Sequence, residues 1–206
     1  MQAITDLIMY FQKGGLIMWP LLACSITVIA IAIERFIYYK SVDSGAAFAS
    51  RYCAAVRSGD FAVATELARK GSGQCAQMLA DVAAVAGGKA EKSTFLESRA
   101  GIFMATLRDK LDYLGIIVTM SPLLGLLGTI VGMIGAFSIF NVEAGAPMAI
   151  TGGIGEALIA TATGLCVAIL SLCAHSYFAH RMDNMITDME QCFSALLEAE
   201  TRRGRS

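Results

Sequence analysis

Glu156 is the only charged residue between Ala144 and His180, in a stretch otherwise built from apolar, glycine and hydroxyl side chains. A carboxylate inside a membrane-spanning helix costs about 2.5–3.5 kcal/mol on insertion scales, so such an acid usually faces a bundle interior or a water-filled path. Movement of an ion or a proton is the chemistry that this placement suggests. The structural alternative is a glutamate that stays neutral or caps a helix near the membrane surface. Three threonines accompany it. Thr129 lies among Gly125, Gly128, Gly132 and Gly135, and Thr161 and Thr163 follow Glu156 in the run Gly152-Gly153-Ile154-Gly155-Glu156-Ala157-Leu158-Ile159-Ala160-Thr161-Ala162-Thr163-Gly164. At about 100° per residue, Thr161 is roughly 140° round from Glu156, and Thr163 is almost directly below it. A threonine hydroxyl in a membrane bonds the i−4 carbonyl, a neighbouring helix or a water. For any one threonine the first is the ordinary outcome. Three of them with one acid on two glycine-rich segments point to a polar seam.

No other constellation carries chemistry. The sequence shows no nucleophile–base pair and no metal-ligand cluster, and no cofactor is expected. Gly152-Gly153-Ile154-Gly155 lies in an apolar run with no strand before it, so it is not a nucleotide fingerprint. The chain is therefore not read as an enzyme. A net charge of −1, with no basic face interleaved with aromatics, gives no sign of nucleic acid binding. The six cysteines form no CxxC pair and read as small apolar fillers. His175 and His180 fall near the end of the third apolar window, where an interfacial histidine is the plain reading.

The elements that must position these residues are helices. The chain is 56% hydrophobic and 16% charged, too apolar for an ordinary soluble domain. Three windows account for it: Gly14–Ile33, Leu114–Val142 and Ala144–His180. Each is long enough to cross about 30 Å of hydrocarbon as a helix. The fold class expected is all-α, an integral membrane protein with three transmembrane helices, two of them running far into the cytoplasm as a helical bundle. The segments are a short periplasmic or interfacial N-terminal stretch (1–13), a first span (14–35), a helical cytoplasmic loop (36–113), a second span (114–142), a third span (152–177) and a helical cytoplasmic tail (178–206). The first window reads as a retained anchor rather than a signal peptide, because Glu34-Arg35 follow it and no small-residue cleavage site appears. Lys and Arg concentrate between Glu34 and Asp112 and after His180, which places the N-terminus outside and the loop and tail inside.

In the loop, Ala46–Arg57, Ala62–Lys70 and Gln74–Ala86 read as short helices punctuated by Ser58-Gly59-Asp60, Gly71-Ser72-Gly73 and Gly87-Gly88. From Lys89 the periodicity predicts one unbroken helix over Ala90–Phe140, about 75 Å at 1.5 Å per residue. In the tail, Phe178, Met182, Met185, Met189, Cys192, Leu196 and Ala199 alternate by four and three, a heptad stripe. That stripe suits a seam between subunits and a packing face on the chain's own loop helices equally well. Glycines Gly125, Gly128, Gly132, Gly135, Gly152 and Gly164 are expected to let the spans approach closely.

Ser121-Pro122-Leu123-Leu124-Gly125-Leu126-Leu127-Gly128-Thr129-Ile130-Val131-Gly132-Met133 and Gly155-Glu156-Ala157-Leu158-Ile159-Ala160-Thr161-Ala162-Thr163-Gly164-Leu165 resemble the two signature spans of the MotA/TolQ/ExbB proton-channel family. Three spans resemble ExbB and TolQ rather than the four-span MotA. The resemblance implies that Thr129 and Thr161 line a pore and that Glu156 is the family's third-span glutamate. It implies a homo-oligomer, a pentamer, around single-span partner helices of the ExbD/TolR type that carry a proton-binding Asp. It also implies a periplasm-spanning TonB- or TolA-like protein and a bacterial inner-membrane location. Leu170 stands where a proline often interrupts the third span, which implies a straighter helix here. The function implied is the scaffold and proton-channel subunit of a motor that energises TonB-dependent import or another envelope process. A self-sufficient ion channel and a non-conducting membrane scaffold are the rivals from other classes.

Overall fold

The residues Met18–Val42 meet few helix breakers, and Pro20 sits in the first turn, where its missing N–H does least harm. They form α1 in a computed structural model of the protein, which describes residues 14–85, 87–142 and 147–203. Five helices follow: α2 (Ala46–Arg57), α3 (Phe61–Lys70), α4 (Gln74–Ala83), α5 (Lys89–Arg108) and α6 (Leu111–Val142). The last described helix, α7, is Pro147–Arg203. No strand occurs among the described residues. Three helical stretches are long and apolar enough to cross a membrane. The protein is an all-α membrane protein. The expected interfacial helix at 1–13, and residues 143–146 of the connection between the last two spans, lie outside the described residues.

The chain packs as two units, one of Met1–Ile33 with Asp112–Ser176 and the other of Glu34–Leu111 with Tyr177–Ser206. The first, the span unit, holds the start of α1, nearly all of α6 and the first part of α7. Its interior mixes small residues such as Ala136, Ala157, Ala160 and Ala168 with Leu21, Leu114 and Ile117, whereas Ile26, Ile29, Leu123, Ile134, Leu158 and Ile169 are exposed. Large apolar side chains on the outside and small ones at the closest helix contacts suit a unit whose solvent is hydrocarbon, where helices associate through close backbone approach.

The second, the loop-and-tail unit, has an ordinary core. Tyr39, Tyr52, Leu79, Val82, Leu96, Phe103, Leu107 and Met189 are buried in it. Its short helices start and stop where the sequence punctuation falls. Asp60 caps α3, its carboxylate accepting the Val63 N–H at 3.2 Å. Gly73, at φ 89°, starts α4 in a bend where a Cβ would meet the Ser44 hydroxyl at 2.5 Å. Lys92 reaches Glu200 at 2.7 Å and Arg181 reaches Asp43 at 2.6 Å, tying α5 and the Asp43 turn to α7.

Two sequence expectations are settled here. The single helix over Ala90–Phe140 is broken: α5 ends at Arg108, α6 begins at Leu111, and Asp109 and Lys110 form a turn. The reason is tertiary. The Arg35 guanidinium donates to the Thr106 carbonyl at 3.0 Å and the Tyr39 hydroxyl to the Leu107 carbonyl at 2.9 Å. In an uninterrupted helix those carbonyls would accept from residues 110 and 111. Side-chain donors from α1 supply partners in their place, so the interruption leaves the Thr106 and Leu107 carbonyls paired. The heptad stripe, for its part, packs within the chain. Phe178, Met182, Met185, Met189, Cys192 and Ala199 are all buried in this unit, Phe178 edge-on to Tyr39 at 5.6 Å and Cys192 with its sulfur 4.0 Å from that of Cys53. The loop helices supply the apolar partners that a neighbouring subunit would otherwise have to provide. Burial pushes the Cys53 thiol up to about 11, so it stays protonated, an inert filler.

Candidate functional site: a glycine-lined seam with one acid

Close approach of α6 and α7 builds the seam. A methyl at Gly164 would lie 2.6 Å from the Ser121 carbonyl oxygen and 3.0 Å from Gly125 Cα. One at Gly125 would lie 3.1 Å from Thr161 Cα, and one at Gly128 would collide with the Ala160 methyl. One at Gly132 would lie 3.0 Å from the Gly153 carbonyl. Four of the six expected packing glycines therefore lie in the seam. Gly135 and Gly152 do not: nothing of the chain lies within 4 Å of a Cβ at either position. On α7 the contact stripe is Gly153, Ala157, Ala160, Thr161 and Gly164, centred roughly 85° round from Glu156 at about 100° per residue. Gly152 falls on the other side of Glu156, and Gly153 takes its place, packing on Ala136. On α6, Ala136 makes the contact at the level where Gly135 was expected.

Side chains bridge the seam at two levels. The Thr161 hydroxyl lies 3.2 Å from the Gly125 carbonyl of α6 and 3.3 Å from Ala157 of its own helix, a single donor shared between two acceptors. Ser171 donates to the Leu114 carbonyl at 2.9 Å. The Thr129 hydroxyl bonds the Leu126 carbonyl at 2.6 Å and the Thr163 hydroxyl the Ile159 carbonyl at 2.8 Å, both on their own helices. Each of these hydroxyl oxygens keeps lone pairs free to accept from a water or a carboxylic acid. The acceptors of the Thr129, Thr161 and Thr163 hydroxyls are all backbone carbonyls rather than Glu156, and no Lys or Arg lies within ion-pair distance of Glu156 among the described residues. Its carboxylate lies instead over Gly15, three residues ahead of α1. A methyl at Gly15 would collide with Oε1 and come within 2.7 Å of Cδ. Gly15 also has φ +70°, where a Cβ is strained in any case.

The sequence reading missed Gly15 and Ser121. The Gly14-Gly15 pair ahead of an apolar window was the available signal for the first. For Ser121 there was none. Its hydroxyl is wholly buried and has no hydrogen-bond partner, making it a polar point in the seam beside Pro122. His175 lies in the span unit with its Nε2 3.8 Å from where a Cβ at Gly115 would be. Leu170 is exposed on α7, which is continuous there. No group of three or more potential metal ligands occurs among the described residues.

Three apolar helices that approach closely through small residues, with a threonine bridging two of them and one acid in the third span, define a membrane protein with a polar seam in its spans. Residues 69–191 match the MotA/TolQ/ExbB proton channel family. The chain belongs to that family. It is 34% identical over 175 residues to an ExbB-like biopolymer transport protein of Synechocystis, covering 79% of this chain and 66% of the relative. It is 27% identical over 186 residues to the biopolymer transport protein exbB1 of Vibrio cholerae, covering 87% of this chain and 82% of that one. The Tol-Pal system protein TolQ of Pseudomonas aeruginosa is 36% identical over 81 residues, 39% of this chain and 35% of TolQ. The chain thus spans just under two thirds of the Synechocystis relative's length.

Proposed function

We propose that this chain is the scaffold and proton-channel subunit of a motor complex of the ExbB/TolQ type in a bacterial inner membrane. The observation that carries the reading is the α6–α7 seam, where the Thr161 hydroxyl reaches the Gly125 carbonyl in a unit whose third span holds Glu156 as its one acid. The N-terminus is periplasmic and the loop and tail are cytoplasmic, as the distribution of Lys and Arg indicates. A pentamer surrounds single-span helices of the ExbD/TolR kind, each bringing an Asp. Thr129 and Thr161 accept from that Asp or from its water through their free lone pairs. Glu156 supplies negative charge that raises the Asp's affinity for protons. Each proton crossing 100 mV releases about 2.3 kcal/mol, which moves the partner helices against the ring and, through a TonB- or TolA-like protein, drives an envelope process. A transport load is supported by the Synechocystis and Vibrio cholerae relatives, named as biopolymer transport proteins, which match along 79% and 87% of the chain.

The test is work output in cells for Thr129→Val, Thr161→Val and Glu156→Gln, with protein level and ring assembly measured in parallel. Loss of the bond from a threonine hydroxyl to the Asp or its water costs on the order of 1–3 kcal/mol, so each assembled threonine variant slows about tenfold or more, and Glu156→Gln slows the motor by removing the charge. Thr163→Val is the control and has a mild effect. Normal output from all three would leave a non-conducting scaffold. Gradient-driven flux from the chain reconstituted alone would make it a self-sufficient channel.

A further inference from the structure

The loop-and-tail unit carries an open pocket of about 270 Å³ lined by Phe36, Tyr39, Lys40, Tyr177, Phe178 and Arg181. Its floor is built: Tyr39 and Phe178 are buried, their rings 5.6 Å apart and edge-on, and Tyr177 packs edge-on to Phe178 at 5.2 Å. Its walls are open. Phe36 and Tyr177 are each more than half exposed, an expensive placement in water for two large rings. Its rim is cationic. Arg181 is paired with Asp43 at 2.6 Å, whereas Lys40 has no carboxylate within ion-pair distance among the described residues. Arg181 is thus engaged by Asp43, with Asp188 also near it, and Lys40 is the rim cation left without an ion-pair partner among the described residues.

The place of these residues in the chain says which ligand fits. Phe36 stands three residues after the apolar window that ends at Ile33, and Tyr177 and Arg181 flank the end of the window that closes at His180. Aromatic rings and basic side chains at the ends of apolar spans sit at headgroup level. We infer that this pocket is a binding site for the phosphodiester of an anionic phospholipid. The lipid phosphate lies between Lys40 and Arg181, and the exposed faces of Phe36 and Tyr177 border its glycerol and upper acyl carbons. The unpaired Lys40 ammonium offers a charge that a phosphodiester can meet, and the volume is many times the roughly 30 Å³ that a water occupies. A basic side chain near an anionic lipid surface contributes enough to change affinity about fivefold. The site is independent of whether the chain conducts protons, since it uses none of the seam residues.

The experiment uses the full-length protein in detergent with equal phosphatidylglycerol and phosphatidylcholine, and counts retained lipids by native mass spectrometry. Wild type retains phosphatidylglycerol in preference. Lys40→Gln lowers that retention about fivefold with oligomer size unchanged, Lys40→Arg restores it, and Arg181→Lys keeps most of it. Equal retention of the two lipids by wild type, or undiminished phosphatidylglycerol retention by Lys40→Gln, overturns the inference. So does displacement of the lipid by millimolar glycerol 1-phosphate, which would make this a site for free phosphate. If Lys40→Gln does not assemble, Lys40→Met under the same criteria decides.

Discussion

Replacing Gly164 by alanine puts a methyl where the structure leaves no room. The new carbon would lie 2.6 Å from the Ser121 carbonyl oxygen and 3.0 Å from Gly125 Cα. Ordinary contact begins near 3.4 Å, so α6 and α7 must part by about 0.8 Å, and both offending atoms belong to helix backbone that no rotamer change can move aside. Overpacking of this sort costs about 1–3 kcal/mol. Alanine returns about 0.5–1 kcal/mol as the better helix former, leaving a net loss centred on about 1 kcal/mol. For a chain of this size that is a fall of about 2–4 °C in melting temperature. Function suffers further, because the Thr161–Gly125 bond, already 3.2 Å long, opens past hydrogen-bonding distance. The assay is thermal melting of the purified protein, with work output in cells beside it. Gly125→Ala, where the nearest atom is at 3.1 Å, has a smaller effect. Gly135→Ala and Gly152→Ala, with open space, leave the melting temperature level or slightly higher. Equal melting of Gly164→Ala and wild type, or a loss at Gly135 as large as at Gly164, would refute the seam as described.

Two further outcomes test the loop-and-tail unit. Tyr39→Phe removes the donor to the Leu107 carbonyl and lowers stability by about 1 kcal/mol, read from the same melts. Asp188 is held above the usual carboxylate range, first by burial and then by Asp43, against the opposing pull of Arg181. A carboxyl whose folded pKa is raised favours the fold while it is protonated and loses that advantage as pH rises from the unfolded pKa through the folded one. Asp188→Asn therefore raises the melting temperature at pH 7 and leaves it nearly unchanged at pH 3.5; an equal shift at both pH values would show that charge is not the cause.

The three apolar windows and most helix boundaries were legible in the residues, because glycine, proline and capping signals are local. Asp60 caps α3 where its side chain type suggests, and Gly71 and Gly73 fall between helices α3 and α4 where breakers should. The break at Asp109-Lys110 was not legible. Nothing in that stretch resists helix, and its cause is a pair of donors, Arg35 and Tyr39, more than sixty residues away. The heptad stripe was legible as a buried face but not as to what covers it, since a loop helix and a neighbouring subunit present the same apolar surface.

By itself, then, the sequence determined an all-α protein with three spans, a single acid in the third, and glycine and threonine on the last two, since apolar length, periodicity and side-chain type are properties of the chain alone. Only the tertiary structure decided which of those residues meet. It set four glycines in the seam and two outside it, because the contact stripe on α7 is turned away from Glu156 towards Gly153 and Thr161. It also laid the Glu156 carboxylate against Gly15, a pairing between distant parts of the chain that helix rotation and close backbone approach fix, and that residue spacing cannot.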